Sequence, residues 1–371
     1  MKVPMLDLTE QYESLKSEIL PALENVMSKA QFILGPNVKK LEADIAEYSN
    51  SKHGIGVANG SDALNISLLG CNVGAGDEVI VPSFTFFATA GAVARTGATP
   101  VFVDIDPKTF NIDPEQIEKA ITPKTKAIIP VHLYGQMADM DRIKEIADKH
   151  NLYIIEDAAQ SIGSLYKGKK VGELGTTACY SFFPTKNLGA YGDAGMIISN
   201  DDEIAEKIRV LRVHGSKPKY YHHILGYNSR LDEMQAAILN VKFPHLDEWS
   251  ELRREKAQNY TQLIKEMVGD HVVTPYEEEF NHHIYHQYTI RVKKRDELQN
   301  YLKEQGVSTM IYYPKPLHLQ PVFAELGYKE GDLPETEKAA NEALSLPMFP
   351  ELKAEQQQYV VEKIREFYQN N

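Results

Sequence analysis

One lysine, Lys186, stands in the stretch 181–195 (SFFPTKNLGAYGDAG), and no other charged residue lies between Glu173 and Asp193. Lysines usually sit on solvated faces among other charges. This one lies between a β-rich approach (178–183) and a loop with three glycines. Desolvation disfavours the ammonium and lowers its pKa. An amine so shifted attacks carbonyl carbons and forms Schiff bases. A buried structural lysine, or a loop lysine reaching solvent, would leave the same local pattern. The rest of the chain has to decide.

Further polar groups fall just after predicted strands, where an open parallel sheet binds its ligands. After strand 55–58 comes Asn59-Gly60-Ser61, a helix start whose backbone N–H groups, bare glycine and hydroxyl suit a phosphate. After the next strand, 78–81, come Ser83, Phe84, Thr85 and Phe86, aromatics able to fill core or to stack on a flat ring. After 127–131 come His132, Tyr134 and Gly135. After 152–156 come Asp157 and Gln160; a carboxylate there needs a cationic partner, or else caps a helix. Each group alone also reads as a plain cap or core residue. Together they make a phosphate cradle, a stacking ring, a carboxylate for a ring nitrogen and an isolated lysine. Pyridoxal phosphate (PLP) needs all four.

The elements that must position these groups alternate. Helices are predicted over 10–30, 37–48, 63–69, 85–95, 114–120, 139–150, 203–212, 229–241 and 249–268. Strands are predicted over 55–58, 78–81, 100–104, 127–131, 152–156, 178–183 and 195–199. Short β-branched runs between helices indicate an α/β fold with a mostly parallel central sheet covered on both faces. Beyond 246 the texture changes: strand 286–292, helix 295–305, strand 308–312, helix 353–368. The expected division is a large α/β domain, 1–245, and a smaller α+β C-terminal domain, 246–371.

The 371 residues, 43% hydrophobic and 25% charged, have the balance of a soluble globular protein. The net charge of −12 argues against a nucleic-acid surface, and an anionic ligand needs a local positive site. Two cysteines offer neither a disulfide framework nor a metal quartet. No apolar run reaches the roughly 18 residues of a membrane span, and the start lacks the apolar stretch of a signal peptide. A cytoplasmic location is expected. His282, His283 and His286 (HHIYH) have a spacing that could hold a metal but lack a companion cysteine or evident carboxylate, so no metal is expected. The glycines of 54–60 do not keep the spacing of a dinucleotide fingerprint, which sets a nicotinamide oxidoreductase aside.

With these motifs in order (LGPNVKKLE, NGSDALNISL, VIVPSFTFFATA, PVHLYGQ, IIEDAAQSIG, SFFPTKNLGAYGDAG, NSRLDEMQAAIL, YYPKPLHLQP), almost the whole chain resembles the DegT/DnrJ/StrS sugar aminotransferases. These belong to the fold-type I PLP enzymes. The resemblance implies that Lys186 bonds the cofactor covalently, that Asp157 partners its ring nitrogen, and that Gln160 lies beside its hydroxyl. It implies phosphate contacts from Gly60, Ser61 and Ser181, and stacking by Phe86. It implies that Asn228 reaches the phosphate of a neighbouring subunit's cofactor, hence a homodimer with shared active sites. A dehydratase branch has histidine where Lys186 stands, so aminotransfer is expected here. The implied substrates are glutamate and a nucleotide-linked keto-sugar. The stretch 214–222 is similar to that of enzymes acting on dTDP-3-keto-6-deoxyhexoses. There Lys217, Lys219, Tyr220 and Tyr221 would suit a diphosphate or form a solvated loop, while His318 could reach the sugar. A 4-keto sugar, or a non-catalytic PLP-binding regulator on the same fold, is the alternative.

Overall fold

The computed structural model describes residues 1–370. Its helices are α1 (Leu8–Lys29), α2 (Pro36–Tyr48), α3 (Gly60–Gly70), α4 (Ala88–Arg95), α5 (Pro114–Ala120), α6 (Met140–His150), α7 (Asp202–Leu211), α8 (Glu233–Lys242), α9 (Leu246–Met267), α10 (Arg295–Glu304), α11 (Pro334–Glu342) and α12 (Ala354–Asn370). Its strands are β1 (His53–Val57), β2 (Glu78–Pro82), β3 (Thr99–Val103), β4 (Thr125–Ile128), β5 (Tyr153–Asp157), β6 (Leu165–Tyr166), β7 (Lys169–Lys170), β8 (Thr177–Ser181), β9 (Gly195–Ser199), β10 (Asn281–His282), β11 (Tyr288–Arg291) and β12 (Ala343–Leu346).

Seven strands form the central sheet in the order β1-β9-β8-β5-β4-β2-β3. Only β9 runs against the others, pairing antiparallel with β1 and β8. The expected mostly parallel sheet is therefore found, with the carboxyl ends of six strands on one edge. Alternation along the strands sorts the core. Ile80, Ile128, Ile154 and Ile198 face α2, α6 and α8. Their neighbours Val79, Val81, Ile129, Ile155 and Ile197 face α3, α4 and α7. Both faces are dry, and each buried Ile or Val contributes roughly 1.5–3 kcal/mol.

The C-terminal third packs a core of its own around α9, β11, β12, α10 and α12, in which Val3 takes part. Val3 pairs with Val307. We place the division between the two lobes at the start of α9. The segment after α10 departs from expectation. Residues 308–312 form no strand, only a bridge from Met310 to Ser345. The partner of β11 is β12, in the register Tyr288↔Leu346 to Arg291↔Ala343. Between them the chain returns to the large lobe, where Leu317 and Phe323 join the core beside α3 and α4. Two helices start three or four residues later than expected. α4 begins at Ala88, because 83–87 turn at the sheet edge, and α8 begins at Glu233.

Helix α8 ties the large lobe together. Its Glu233, buried, accepts from Asn37 N (2.6 Å), Asn37 Nδ2 (2.8 Å) and Val38 N (3.1 Å). The two backbone groups are orphan donors at the start of α2, whose own cap position, Gly35, offers no side chain. A Cβ on Gly35 would stand 2.6 Å from Glu233 Cδ, so glycine is needed for the approach. Glu233→Ala strands these donors and should cost roughly 1–3 kcal/mol. Glu233→Gln, which keeps one acceptor oxygen, should cost less. Urea midpoints at one fixed protein concentration read the difference; equal midpoints for all three proteins would refute this role.

Candidate active site

A cavity of about 750 Å³ opens at the carboxyl edge of the sheet, and Gly60, Ser61, Phe86, Asp157, Gln160, Ser181 and Lys186 all line it. Parallel pairing brings them together, because each comes after or ends a strand pointing at that edge.

The anion cradle is the start of α3. Asn59 caps the helix, its side chain accepting from Asp62 N at 2.8 Å, which leaves the other N–H groups of the first turn to the cavity. Ser181 ends β8 directly against it. A Cβ on Gly60 would fall 2.7 Å from Ser181 Cβ, so the backbone must be bare there. The cradle fits a phosphate.

Asp157 ends β5 and is 5% exposed. Thr89 Oγ1 donates to its Oδ2 at 2.7 Å and Ala159 N to its Oδ1 at 3.3 Å. Burial pushes its carboxyl above the usual range; these donors and the charge of Lys186 oppose the shift. A carboxylate held this way is suited to a protonated ring nitrogen. Thr89, the second residue of α4, is not singled out by the sequence. The spacing of Thr85 and Thr89, whose hydroxyls lie 3.1 Å apart, was the available signal.

Gln160 is fixed from both ends, accepting from Tyr134 N (2.8 Å) and donating to Tyr313 Oη (3.1 Å). Phe86 is largely exposed at the cavity, its ring 6.1 Å from that of Tyr313. Tyr312 and Tyr313 enter from the returning C-terminal segment and line the cavity.

Lys186 sits in a tight turn. Its N–H donates to Phe183 O, and Gly189 packs so closely that a Cβ would lie 2.3 Å from Pro184 O. Helix α8 grips this turn from below. Gln235 Oε1 accepts from Tyr191 N at 2.8 Å, and buried Lys242 donates through Nζ to Gly189 O. Among the described residues the ammonium of Lys186 has no hydrogen-bond or ion-pair partner. Burial lowers its pKa to about 8, the charge of Asp157 opposing. The residues therefore fit PLP at both ends of the cavity, with a carbonyl-reactive amine between them.

His286 was grouped by sequence with a metal pattern, and the structure separates the three histidines. His282 pairs with Glu251 (3.0 Å) and His283 stacks on Tyr285. His286 lines the cavity. Asn187 Nδ2 donates to Ile284 O, which orients the amide, so His286 Nδ1 is the donor to Asn187 Oδ1 (3.0 Å). Burial first, then the charges of Lys186 and Arg253, hold His286 neutral. Among the described residues no group of three or more His, Cys, Asp or Glu is placed to hold a metal.

The residues expected to meet the substrate are not in the cavity wall. His318 is buried, with Nδ1 2.7 Å from Ser83 Oγ and Nε2 3.2 Å from Glu337 Oε1. Both ring nitrogens are engaged, so in this structure it locks the returning segment to the end of β2 rather than facing a sugar. Lys217, Lys219, Tyr220 and Tyr221 lie in an exposed loop, Lys217 paired to Glu206 and Tyr220 79% exposed. Asn228 closes that loop by bridging to Val213 and also lies outside the cavity.

The sequence model described as the DegT/DnrJ/EryC1/StrS aminotransferase family matches residues 13–365. The chain is 73% identical over 370 residues to a "pleiotropic regulatory protein" of Geobacillus stearothermophilus, covering 100% of both chains. It is 48% identical to a UDP-N-acetyl-3-dehydro-alpha-D-glucosamine 3-aminotransferase of Acidithiobacillus ferrooxidans (95% of each chain). It is 43% identical to a dTDP-3-amino-3,4,6-trideoxy-alpha-D-glucose transaminase of Streptomyces venezuelae (99% of this chain, 96% of the other). The crystal structure of S. venezuelae DesV in complex with a ketimine intermediate superposes with a TM-score of 0.96 at 43% identity, covering 99% of this chain and 98% of that one. Among the described residues no helix is long and apolar enough to cross a membrane.

Because Asp157 raises the pKa of Lys186, Asp157→Asn should lower it further below 8. In cofactor-free protein the pH midpoint for reductive methylation of Lys186, read by peptide mass, should lie near 8 and shift down in the variant. An unchanged or rising midpoint would show that the two groups do not sense each other.

Proposed function

Since the chain belongs to the DegT/DnrJ/EryC1/StrS aminotransferase family, we propose that it transfers the amino group of glutamate to C3 of a nucleotide-linked 3-keto sugar, with a dTDP-3-keto-6-deoxyhexose the first candidate. It is a PLP-dependent sugar aminotransferase. The observation that carries the reading is Lys186, desolvated and unpaired in one cavity with the buried carboxylate of Asp157 and a phosphate cradle. Position C3 is supported by relatives of two nucleotide types, both named for nitrogen or a keto group at carbon 3. UDP in one name and dTDP in the other leave a pyrimidine diphosphate as the common element.

Bound PLP supplies the electron sink that makes the donor's Cα acidic. This chain's residues do the rest. The cradle of Gly60, Ser61 and Ser181 would hold the phosphate, Asp157 would keep a proton on the ring nitrogen, and Phe86 would cover one face. With a pKa near 8, about one Lys186 in ten is uncharged at pH 7. That free amine would take the proton from the donor's Cα and later deliver one to the sugar carbon receiving nitrogen. His286, neutral, puts no second positive charge beside Lys186 and does not compete with it for Asp157.

We assign the exposed loop 214–228 to a second copy of the chain. Leu225 is 96% exposed, and Phe183, at the cavity, is 50% exposed. A homodimer would cover both and bring Asn228, Lys217 and Lys219 to the neighbour's cavity. A regulatory role is the second reading, favoured by the name of the 73%-identical relative.

A panel of dTDP- and UDP-linked 3-keto and 4-keto sugars, assayed with glutamate, should give product whose NMR spectrum places nitrogen on C3. Turnover of 4-keto sugars alone would overturn the position, and turnover of none by PLP-loaded protein would favour the regulator. Lys186→Ala should lose roughly 10³-fold or more in turnover while retaining PLP binding, measured by equilibrium dialysis. Lys186→Ala and Asn228→Ala protein, dissociated, mixed equally and re-associated, should regain about a quarter of wild-type activity, because half the dimers are mixed and each has one intact site. No recovery would argue against shared sites.

A further inference from the structure

A second cavity, of about 760 Å³, shares no lining residue with the first. It lies where β11, the start of α10, helix α11 and the end of α12 meet the segments 107–110 and 270–276. Its wall is strongly cationic. Lys108, Arg291, Lys293, Lys294 and Lys338 line it against two carboxylates, Asp270 and Glu342. Glu342 is already paired with Arg291 at 3.0 Å. Lys108, Lys293 and Lys338 have no carboxylate partner among the described residues. In a chain of net charge −12, so many unpaired like charges around one hollow are unfavourable to one another until an anion enters.

The wall also has flat surfaces. The ring of Tyr368 stacks on His271 with centroids 4.7 Å apart, and Lys108 lies over Tyr276 at 5.3 Å. The hydroxyl of Tyr368 is buried and without a hydrogen-bond partner among the described residues. A lone inorganic anion would use the lysines but leave the rings and most of the volume unfilled. The volume lies within the roughly 300–1,000 Å³ of small-molecule sites.

We propose that this cavity is a second ligand site, for a nucleoside diphosphate: the base against the aromatic wall, the phosphates among Lys108, Lys293 and Lys338. It is separate from the catalytic cavity and does not depend on which sugar is aminated. A short chain of packed rings still connects the two. Phe110 lines this cavity, stacks on Phe84 (5.7 Å) and meets Tyr134 edge-on (5.6 Å), and the N–H of Tyr134 holds Gln160.

The test is calorimetric titration of the PLP-loaded protein with UDP, dTDP and ADP, with inorganic pyrophosphate and uridine as separate arms. At least one nucleotide should bind at a site that survives Lys186→Ala and weakens about tenfold or more in a Lys293→Glu/Lys338→Glu double variant. Transamination without added nucleotide should stay within about twofold of wild type in that variant, since neither lysine touches the catalytic cavity. Lys338→Ala, a milder change at an exposed helix position, should weaken the same site less and serves if the double variant does not fold. Nucleotide binding that is unchanged in both variants, or absent in wild type, overturns the site. Pyrophosphate binding as tightly as UDP overturns the role given to the aromatic wall.

Discussion

Taking the ammonium of Lys186 out of water, beside the buried Asp157, is the unfavourable act around which the large lobe is arranged. Alone, the chain would relieve it by swinging the lysine to solvent. The turn cannot open, because Gly189 is pressed on Pro184 O from one side and held by Lys242 from the other. Lys242 is itself a buried lysine with a pKa lowered to about 8 by burial, lying over the rings of Tyr191 and Trp249. One desolvated cation is thus kept in place by a second, which has a carbonyl and aromatic faces to satisfy it. The helix carrying Lys242 also caps α2 through Glu233, so a single element joins the reactive turn to the body of the sheet.

The cofactor half of the site was legible because it is local. Strand ends announce themselves by β-branched runs, and the residues just past a parallel strand must emerge at the same edge as those of its neighbours. Asp157, Lys186 and the start of α3 needed no tertiary knowledge beyond that, whereas the role of Ser181 came from the family resemblance. Tyr312 and Tyr313 were not legible as wall residues. Residues 308–312 have strand composition, but the pairing went to Ala343–Leu346, which completes β11 in a register that buries Leu344 and Leu346. Freed from the sheet, the segment returns across the large lobe. His318 follows the same path: its motif suggests a ligand, and the fold sets Ser83 and Glu337 against its two ring nitrogens. His286 shows the converse: it lies in sequence beside His282 and His283, but in space it lines the cavity apart from them.

The relatives differ in name more than the cavity explains. Lysine, carboxylate and cradle suit aminotransfer whatever the nucleotide, and the names of the relatives include both dTDP and UDP sugars. The exposed loop 214–228 is one of two places, with the second cavity, where this chain offers cationic and aromatic groups away from the cofactor residues. Its shape is set by Gly215, at φ +72°, where a Cβ would lie 1.8 Å from Ile224 O.

The pairing of Val3 with Val307 has a consequence for how the polypeptide is made. Gly306 O receives Val3 N–H, Ser308 N–H donates to Val3 O, and Met348 N–H donates to Met5 O. The segment around Val3 is therefore made long before the residues it pairs with, and has no partners until they follow. The large lobe, most of whose contacts are complete earlier, can form in the meantime. The smaller lobe closes only when these two distant parts of the chain meet, so its core depends on a contact of long sequence separation.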